Sequence, residues 1–478
     1  MRTSFLVFAV LVCACTKHNP DSCCTSDPQC QAFGLDGVTA CETGKVCNSF
    51  GTCVASECVS SADCQNPALP VCIDQQCVAT CTMDADCTGI AGAPYCASNG
   101  ACVACTNDTQ CTAEAAPVCD THTNTCRSCS ADADCASGVC LEATGTCAGD
   151  GQVVFVKGSG TDTGTCTKAS PCATLTYAVT QTSGTRNVIH IVGQTYHLAT
   201  SVTFTNFVGY VDGENTVISD DNLVQWLFAG GTVTISEVSM ADFKVNGADV
   251  TLFDSALLSP CGQTNGTLTV DHSTLAGSIV CSAGTLNVTN STVTGTISTR
   301  TCPSKIERDL VQDVVLSFAG GTVAIDDNVF LSTQAGAEPA VVLLPGLTAG
   351  VTGAIEFNTL MNHASAVAAG PAIDCQGGAT PMITSNILAW NSAVTPTCAT
   401  QYSLYDKALA LPAGTGNIAG DPATFFTNLT GNDFHLATAS PAIGAADPNI
   451  ASPPPDFEGT ARPSPAGSKP DIGAYEAQ

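Results

Sequence analysis

The feature that most constrains the fold is a short motif that repeats along the chain. The segment GTLTVDHSTLAGSIVCSAGTLNVTNSTVTGTIS, residues 266–298, contains nearly the same motif twice, beginning at Gly266 and again at Gly284. Counted from the first glycine of each copy, apolar residues stand at positions +2, +4 and +9. Further copies begin at Gly231 and Gly321, a degenerate copy begins at Ala248, and partial copies begin at Gly353 and Pro381.

Positions +2 and +4 have the alternation of a β-strand, and position +9 follows a polar corner and begins a second inward face. A unit this short cannot bury its apolar face alone, so successive copies must stack on one another. The repeat therefore predicts one coil of a parallel β-helix, built from two or three short strands. Neighbouring coils would lie about 4.8 Å apart. Leucine-rich repeats are the alternative, but their leucine and asparagine signature is missing.

Cysteine usage defines a second region, at residues 16–150. The chain has 31 cysteines, which indicates disulfides and an oxidising compartment. Four units recur at a nearly constant spacing, and each opens with C-x5-C. Their cysteines are Cys58, Cys64, Cys72 and Cys77; Cys81, Cys87, Cys96 and Cys102; Cys105, Cys111, Cys119 and Cys126; and Cys129, Cys135, Cys140 and Cys147.

Units of this size need disulfides because they cannot bury a core of their own. Four cysteines allow three pairings, and the sequence does not choose among them. The CxxC spacing at Cys102/Cys105 and Cys126/Cys129 admits zinc, but junctions between modules explain both. Four aspartates precede the second cysteine of their units and could either bind calcium or form turns with their side chains, and turn formation is favoured. They are Asp84, Asp86, Asp132 and Asp134. In its cysteine spacing the region resembles Dickkopf-type and EGF-like modules strung as a stalk.

The N-terminus indicates export. MRTSFLVFAVLVCACTKHNP combines Arg2 with a short apolar run and small residues, which is typical of a signal peptide. Val12-Cys13-Ala14-Cys15 resembles a bacterial lipobox, which implies lipidation at Cys15, with plain secretion as the alternative. We therefore expect a signal peptide over 1–15, and either an outer-membrane surface lipoprotein of the cell envelope or a secreted extracellular protein.

Two further segments resemble known families. VVFVKGSGTDTGTCTKASPCATLTYAV, residues 153–179, resembles the opening of right-handed β-helix proteins of the pectin-lyase-like superfamily. GDPATFF, NDFHLATASPAIGAAD, DFEGTARP and DIGAYE resemble, in that order, the choice-of-anchor Q domain of bacterial surface proteins. The resemblances imply an all-β chain, with a right-handed parallel β-helix at 151–416 and a choice-of-anchor Q-like region at 417–478.

Seven cysteines fall in this half of the chain, an odd number. Cys166 and Cys172 are close enough in sequence to form a disulfide that closes one loop. Cys375 and Cys398 flank one coil and could form a disulfide that closes it. Cys261, Cys281 and Cys302 follow one another at intervals close to one repeat, which would stack them on successive coils within bridging distance. We expect Cys281 to pair with either Cys261 or Cys302 and the third cysteine to stay free.

Charge and motifs limit the functions that the chain can have. A net charge of −28 disfavours nucleic acid and acidic polysaccharide as partners. No complete catalytic motif of β-helix lyases or hydrolases is present, and the acid pairs Asp326-Asp327 and Asp220-Asp221 are interpreted as solvated turns. Trp226 is interpreted as a core residue rather than a sugar platform.

We therefore expect a binding, adhesion or envelope structural protein that contacts a glycan or a surface protein. The alternative is a polysaccharide lyase or hydrolase. Whether the protein is an enzyme therefore stays open, although the missing catalytic motif favours a protein without enzymatic activity. We expect no cofactor, with calcium as an option that no motif supports.

Overall fold

The computed structural model describes residues 45–47, 53–55, 71–73, 76–88, 90–193, 195–220, 224–333, 340–344, 350–362, 371–376, 379–390, 394–395, 397–450 and 452–477. The chain divides into two compact units, Met1–Cys140 with Thr144–Cys147, and Leu141–Ala143 with Ala148–Gln478. No helix among these residues is both long and apolar enough to cross a bilayer.

The cysteine-rich unit consists of short two-stranded sheets. Its strands are β1 (Lys45–Cys47), β2 (Cys53–Ala55), β3 (Val71–Ile73), β4 (Gln76–Val78), β5 (Tyr95–Cys96), β6 (Cys102–Val103), β7 (Val118–Asp120), β8 (Thr125–Arg127), β9 (Cys140–Leu141) and β10 (Thr146–Cys147). They pair as β1–β2, β3–β4, β5–β6, β7–β8 and β9–β10. Single 3-10 turns lie at Asp84–Cys87, Asp108–Gln110 and Asp132–Asp134.

One disulfide pattern recurs in three consecutive modules, in which the first cysteine bonds the third and the second bonds the fourth. The bonds are Cys81–Cys96, Cys87–Cys102, Cys105–Cys119, Cys111–Cys126, Cys129–Cys140 and Cys135–Cys147. The pattern selects one of the three pairings that the sequence left open. In this pattern the two cysteines of each CxxC, Cys102/Cys105 and Cys126/Cys129, belong to different modules and form disulfides there. Cys77 is also disulfide-bonded, whereas Cys15, Cys58 and Cys64 lie outside the described residues.

Acidic side chains fix the turn of each module. Asp84, Asp108 and Asp132 each accept a hydrogen bond from the backbone N–H of the third cysteine of their module, at 2.7 to 2.8 Å. Asp86 accepts the backbone N–H groups of Thr82 and Met83, at 2.7 and 3.1 Å. These aspartates therefore act as acceptors in turns, and calcium binding by them stays a prediction.

The second unit contains a 27-stranded sheet in which the strands follow one another along the chain. Its strands are β11 (Val153–Val156), β12 (Val188–Ile191), β13 (Thr195–Leu198), β14 (Val202–Asp220), β15 (Trp226–Met240), β16 (Phe243–Phe253), β17 (Ala256–Leu257), β18 (Cys261–Asp271), β19 (Thr274–Leu275), β20 (Ile279–Cys281), β21 (Thr285–Thr289), β22 (Thr292–Val293), β23 (Ile297–Thr299), β24 (Ser304–Glu307), β25 (Leu310–Gln312), β26 (Leu316–Phe318), β27 (Thr322–Asp326), β28 (Val329–Ser332), β29 (Val341–Leu343), β30 (Thr352–Glu356), β31 (Thr359–Asn362), β32 (Ile373–Cys375), β33 (Met382–Thr384), β34 (Ile387–Ala389), β35 (Thr400–Gln401), β36 (Leu404–Asp406) and β37 (Ile418–Gly420). A helix, α1 (Leu175–Thr180), follows β11, and its Leu175 and Ala178 are buried in the core.

Each full coil contributes three strands, and each strand pairs in parallel with its equivalent on the next coil. Sheet 1 contains β21, β24, β27, β30 and β33, sheet 2 contains β22, β25, β28, β31 and β34, and sheet 3 contains β20, β23, β26, β29 and β32. The apolar residues at +2, +4 and +9 point inwards; after Gly284, for example, Leu286, Val288 and Val293 are fully buried. The parallel β-helix is confirmed, and the leucine-rich alternative is wrong.

The glycine that opens a repeat is required because neighbouring coils are so close together. The opening glycines all have positive φ, from 84° at Gly266 to 108° at Gly353; the others are Gly231, Gly284 and Gly321. A Cβ atom on Gly266 would lie 2.1 Å from the Ala248 carbonyl oxygen of the preceding coil, and one on Gly353 would lie 2.0 Å from that of Val323. An alanine would therefore suffer both an unfavourable φ and a collision with backbone.

A buried row of polar side chains, here called the polar ladder, fixes the corner between sheets 1 and 2. Its members are Ser255, Ser273, Ser291, Asp309, Asn328, Asn358, Asn386 and Ser403. Each ladder oxygen accepts the backbone N–H of the equivalent residue one coil earlier, as Asn358 does from Asn328 at 3.0 Å. The residue before each member has positive φ, so the chain bends there and the ladder satisfies backbone groups that the bend removes from the sheets.

The segment with Lys305 and Arg308 forms a regular coil through β24, β25 and β26, although it carries no copy of the motif. Cys302 stands where other copies begin with glycine, and Ser304 stands at the apolar position +2, so the motif does not reveal this coil. Trp226 lies in the core as expected, and Trp390 does too, so neither indole can serve as a sugar platform.

The cysteines of the β-helix form three disulfides. Cys166 bonds Cys172 and Cys375 bonds Cys398. Cys281 bonds Cys302, one of the two partners that the spacing allowed, across 6.2 Å between Cα atoms. Cys261 is free and buried, and burial raises the pKa of its thiol.

Thiol mapping should reproduce this arrangement. In the native, non-reduced protein we expect Cys261 to resist alkylation, because it is buried and its reactive thiolate form is scarce. After unfolding without reduction, Cys261 should be alkylated while peptides containing Cys281 and Cys302 remain linked. Mass spectrometry reads both results, and a Cys261–Cys281 linkage would contradict the register of these coils.

The C-terminal region folds over the outer side of sheet 2. It contains β38 (Phe426–Asn428), β39 (Asp433–Leu436) and 3-10 turns at Pro422–Thr424 and Leu429–Gly431. An apolar cluster joins Phe425, Phe434 and Ile472 of this region to residues of β28, β31 and β34. The region is therefore part of the same folded unit as the β-helix.

Candidate functional site

On the outer face of sheet 1, which β14, β15, β16 and β18 continue on the earlier coils, equivalent residues form columns across the coils. The middle column runs Thr234, Thr251, Thr269, Asn287, Lys305, Ala324 and Ala354. The column beside it runs Asp212, Ser236, Phe253, Asp271, Thr289, Glu307, Asp326 and Glu356. We call the segment Glu307, Asp326 and Glu356 the acidic row. Its members lie on three successive coils, about 4.8 Å apart along the sheet.

Cations contact only one end of the acidic row, as far as the described residues show. Glu307 is buried and forms ion pairs with Lys305 and, at 3.0 Å, with Arg308. Asp326 Oδ1 and Glu356 Oε1 are buried and have no hydrogen-bond partner among the described residues. These two carboxylates therefore hold acceptor atoms that the described part of the protein does not use.

Burial and mutual repulsion change the proton affinity of the acidic row. Burial, reinforced by Glu356 and Glu307, raises the pKa of Asp326 to about 7. Burial, reinforced by Asp447, also raises the pKa of Glu356. A carboxyl group that titrates near neutrality can accept a proton from a ligand or donate one to it.

The structure contradicts the solvated-turn interpretation of Asp326-Asp327. Asp327 is fully buried at the corner after β27, and its Oδ1 lies 2.8 Å from Arg462 Nη2. Asp326 faces the other way, into the acidic row. Asp221 lies outside the described residues, so the interpretation of Asp220-Asp221 stays a prediction.

A second polar group lies at the first coils. His190 Nδ1 is 2.8 Å from Asp212 Oδ2, and Ser236 Oγ donates to Asp212 Oδ1 at 2.7 Å. His190 is buried, although its neighbours Ile189 and Ile191 point into the core and it points away from it. The serine bonds the carboxylate rather than the imidazole, so the histidine is not placed to activate it as a nucleophile.

A third polar group surrounds a small pocket at the corner between sheets 1 and 2. The pocket has a volume of about 190 Å³ and is lined by Asn215, Glu237, Asp254 and His272 among others. Glu142 brings a carboxylate oxygen within 4.8 Å of those of Glu237 and Asp254. Oxygen ligands of this kind suit a hard cation, and they are not the aspartates that the sequence singled out for calcium.

No protein-family model matches the chain, and no curated protein shows significant similarity to it. Among solved structures, the chain is similar to the pectate lyase Pel9A, with 15% sequence identity and a TM-score of 0.40, over 68% of this chain and 96% of that one.

Proposed function

We propose that this is a surface-exposed or secreted protein that binds a neutral glycan along the outer face of sheet 1. The observation that carries the proposal is the pair of carboxylate oxygens on Asp326 and Glu356 that have no partner among the described residues. They lie on the same face as the threonine and asparagine side chains that the middle column presents on the preceding coils. Hydroxyl groups of a sugar are donors that could satisfy such acceptors. The high negative charge favours a neutral glycan over an acidic one.

Binding without turnover is the main proposal, and a carbohydrate-active lyase or hydrolase is the second. The second is favoured by the pKa of Asp326, raised to about 7 by burial and by the neighbouring carboxylates. Cleavage of a glycosidic bond by acid/base chemistry requires two carboxyl groups in different protonation states. Asp326 and Glu356, on adjacent coils, are the residues that would serve.

A glycan array on the full-length, oxidised protein, followed by assays for reducing ends and unsaturated products, tests both proposals. We expect binding to a neutral glycan that Asp326→Asn and Glu356→Gln each weaken about tenfold, since each removes a charged acceptor. Asp374→Asn, on sheet 3, has the same charge change and should bind as the wild type does. Product formation that both acidic-row variants abolish would establish the enzyme instead, and absence of any glycan binding would contradict the main proposal.

The remaining parts of the proposal concern location. The apolar run before Cys15 and the disulfides of the second and later modules support export to an oxidising compartment, with lipidation at Cys15 as outer-membrane anchor. In this proposal residues 16–150 act as a stalk of Dickkopf-like or EGF-like modules. Residues 417–478 correspond to a choice-of-anchor Q-like region, and nucleic acid is not a partner.

A further inference from the structure

The polar ladder contains one acidic residue among serines and asparagines. Asp309 is fully buried, and its Oδ1 accepts the Ser291 N–H at 2.7 Å, as a ladder side chain should. Its own N–H donates to Asn328 Oδ1 at 2.8 Å. In backbone geometry and in accepted hydrogen bonds, Asp309 is therefore equivalent to its neighbours in the ladder.

Asp309 differs from the other ladder residues in the hydrogen bonds that their side chains donate to backbone carbonyls. Asn328 Nδ2 donates to the Ile306 carbonyl at 2.8 Å, and Asn358 Nδ2 donates to the carbonyls of Ile325 and Glu356 at 2.6 and 2.8 Å. Ser291 Oγ donates to the Thr289 carbonyl at 2.8 Å. Asp309 Oδ2, the second oxygen of this ladder side chain, is buried and has no hydrogen-bond partner among the described residues. An ionised carboxylate cannot donate, whereas a carboxylic acid can.

The charges around Asp309 do not favour an anion. Glu307 lies on the same coil and Asp271 two coils away, and both oppose ionisation. The Arg308 guanidinium is directed to Asn290 Oδ1 and Glu307 Oε1. Asp327, on the next coil, binds the guanidinium of Arg462, which belongs to the C-terminal region.

We infer that Asp309 is a neutral carboxylic acid that donates a hydrogen bond within the ladder, and that its ionisation at alkaline pH weakens the β-helix at this coil. Burial raises the pKa of Asp309 well above its usual range, and the charges of Glu307 and Asp271 add to the effect, against the backbone hydrogen bonds from Ser291 and Glu307. The folded state thus holds a proton that the unfolded chain releases above its ordinary aspartate pKa of about 4. The stabilisation is present at acid pH and is lost as pH rises towards the folded-state pKa.

The test compares thermal unfolding of the full-length, oxidised wild type and Asp309→Asn from pH 4 to pH 9. The amide supplies the missing donor without titrating, so the melting temperatures should agree near pH 4, and the variant should melt several degrees higher near pH 8. Asp249→Asn, at an exposed position, controls for the lost charge. Asn328→Asp should impose an added loss of stability with rising pH, because it places a second carboxyl in the ladder.

Calorimetry in buffers of different ionisation enthalpy supplies a second measurement. At pH 7, unfolding of the wild type should release about one proton more than unfolding of Asp309→Asn. Equal proton release, parallel pH profiles, or a variant that fails to fold at pH 8 would overturn the inference. Either of the first two results would mean that Asp309 is already ionised in the folded protein, and the third would mean that the fold requires its charge.

Discussion

Replacing Arg462 with alanine is expected to detach the C-terminal region from the β-helix. The guanidinium is fully buried and contacts Asp327 Oδ1 at 2.8 Å and Glu476 Oε2 at 2.9 Å. It also donates to the Gly473 carbonyl at 2.8 Å and lies 4.7 Å from the centre of the Phe357 ring. Removing one partner from a buried ion pair costs about 3–5 kcal/mol, because the remaining charges stay buried without compensation.

Limited proteolysis followed by mass spectrometry measures this effect. We expect Arg462→Ala to be cleaved rapidly within residues 440–476 under conditions in which the wild type resists. Lys407→Ala is the matched control, since Lys407 also forms an ion pair in this part of the chain, with Asp421 at 2.6 Å, but on the surface. Exposed pairs contribute little to stability, so the control should resist cleavage. Equal resistance of both variants would contradict the role assigned to Arg462.

The fold was largely predictable because its repeat is local. The inward positions +2, +4 and +9 identify sheets 1 and 2, since alternation within a strand survives as sequence periodicity. Sheet 3 was less visible: its inward residues, such as Ile279 and Ile297, stand at position +13 of their copies, but Thr299 and Cys281 replace aliphatic residues at the next inward position. Cys302 replaces the glycine that would have revealed a further coil.

The candidate site was harder to predict, because it forms across coils of unequal length. The chain takes a longer path from Asp326 to Glu356 than from Glu307 to Asp326, so no fixed period joins the acidic row. The pair Asp327 and Arg462 spans 135 residues and depends on how the C-terminal region packs. Burial of the acids also depends on tertiary packing, and composition indicated only solvated turns.

Two glycine-to-alanine variants compare a position between coils with an open one. Gly266 and Gly247 both have positive φ, 84° and 78°. An added Cβ would lie 2.1 Å from the Ala248 carbonyl oxygen at Gly266, but would have nothing within 4 Å at Gly247. The left-handed conformation should cost both alanine variants about 1–2 kcal/mol. The collision should cost Gly266→Ala about 1–3 kcal/mol more, as overpacking does.

The difference in melting temperature between Gly266→Ala and Gly247→Ala is therefore the most direct test of the claim that each repeat is one stacked coil. Calorimetry on the full-length, oxidised protein should show that Gly247→Ala melts slightly below the wild type and Gly266→Ala at least several degrees lower still. Equal melting temperatures for the two variants would mean that no neighbouring backbone lies against Gly266, and would contradict the stacking of coils at the repeat glycine.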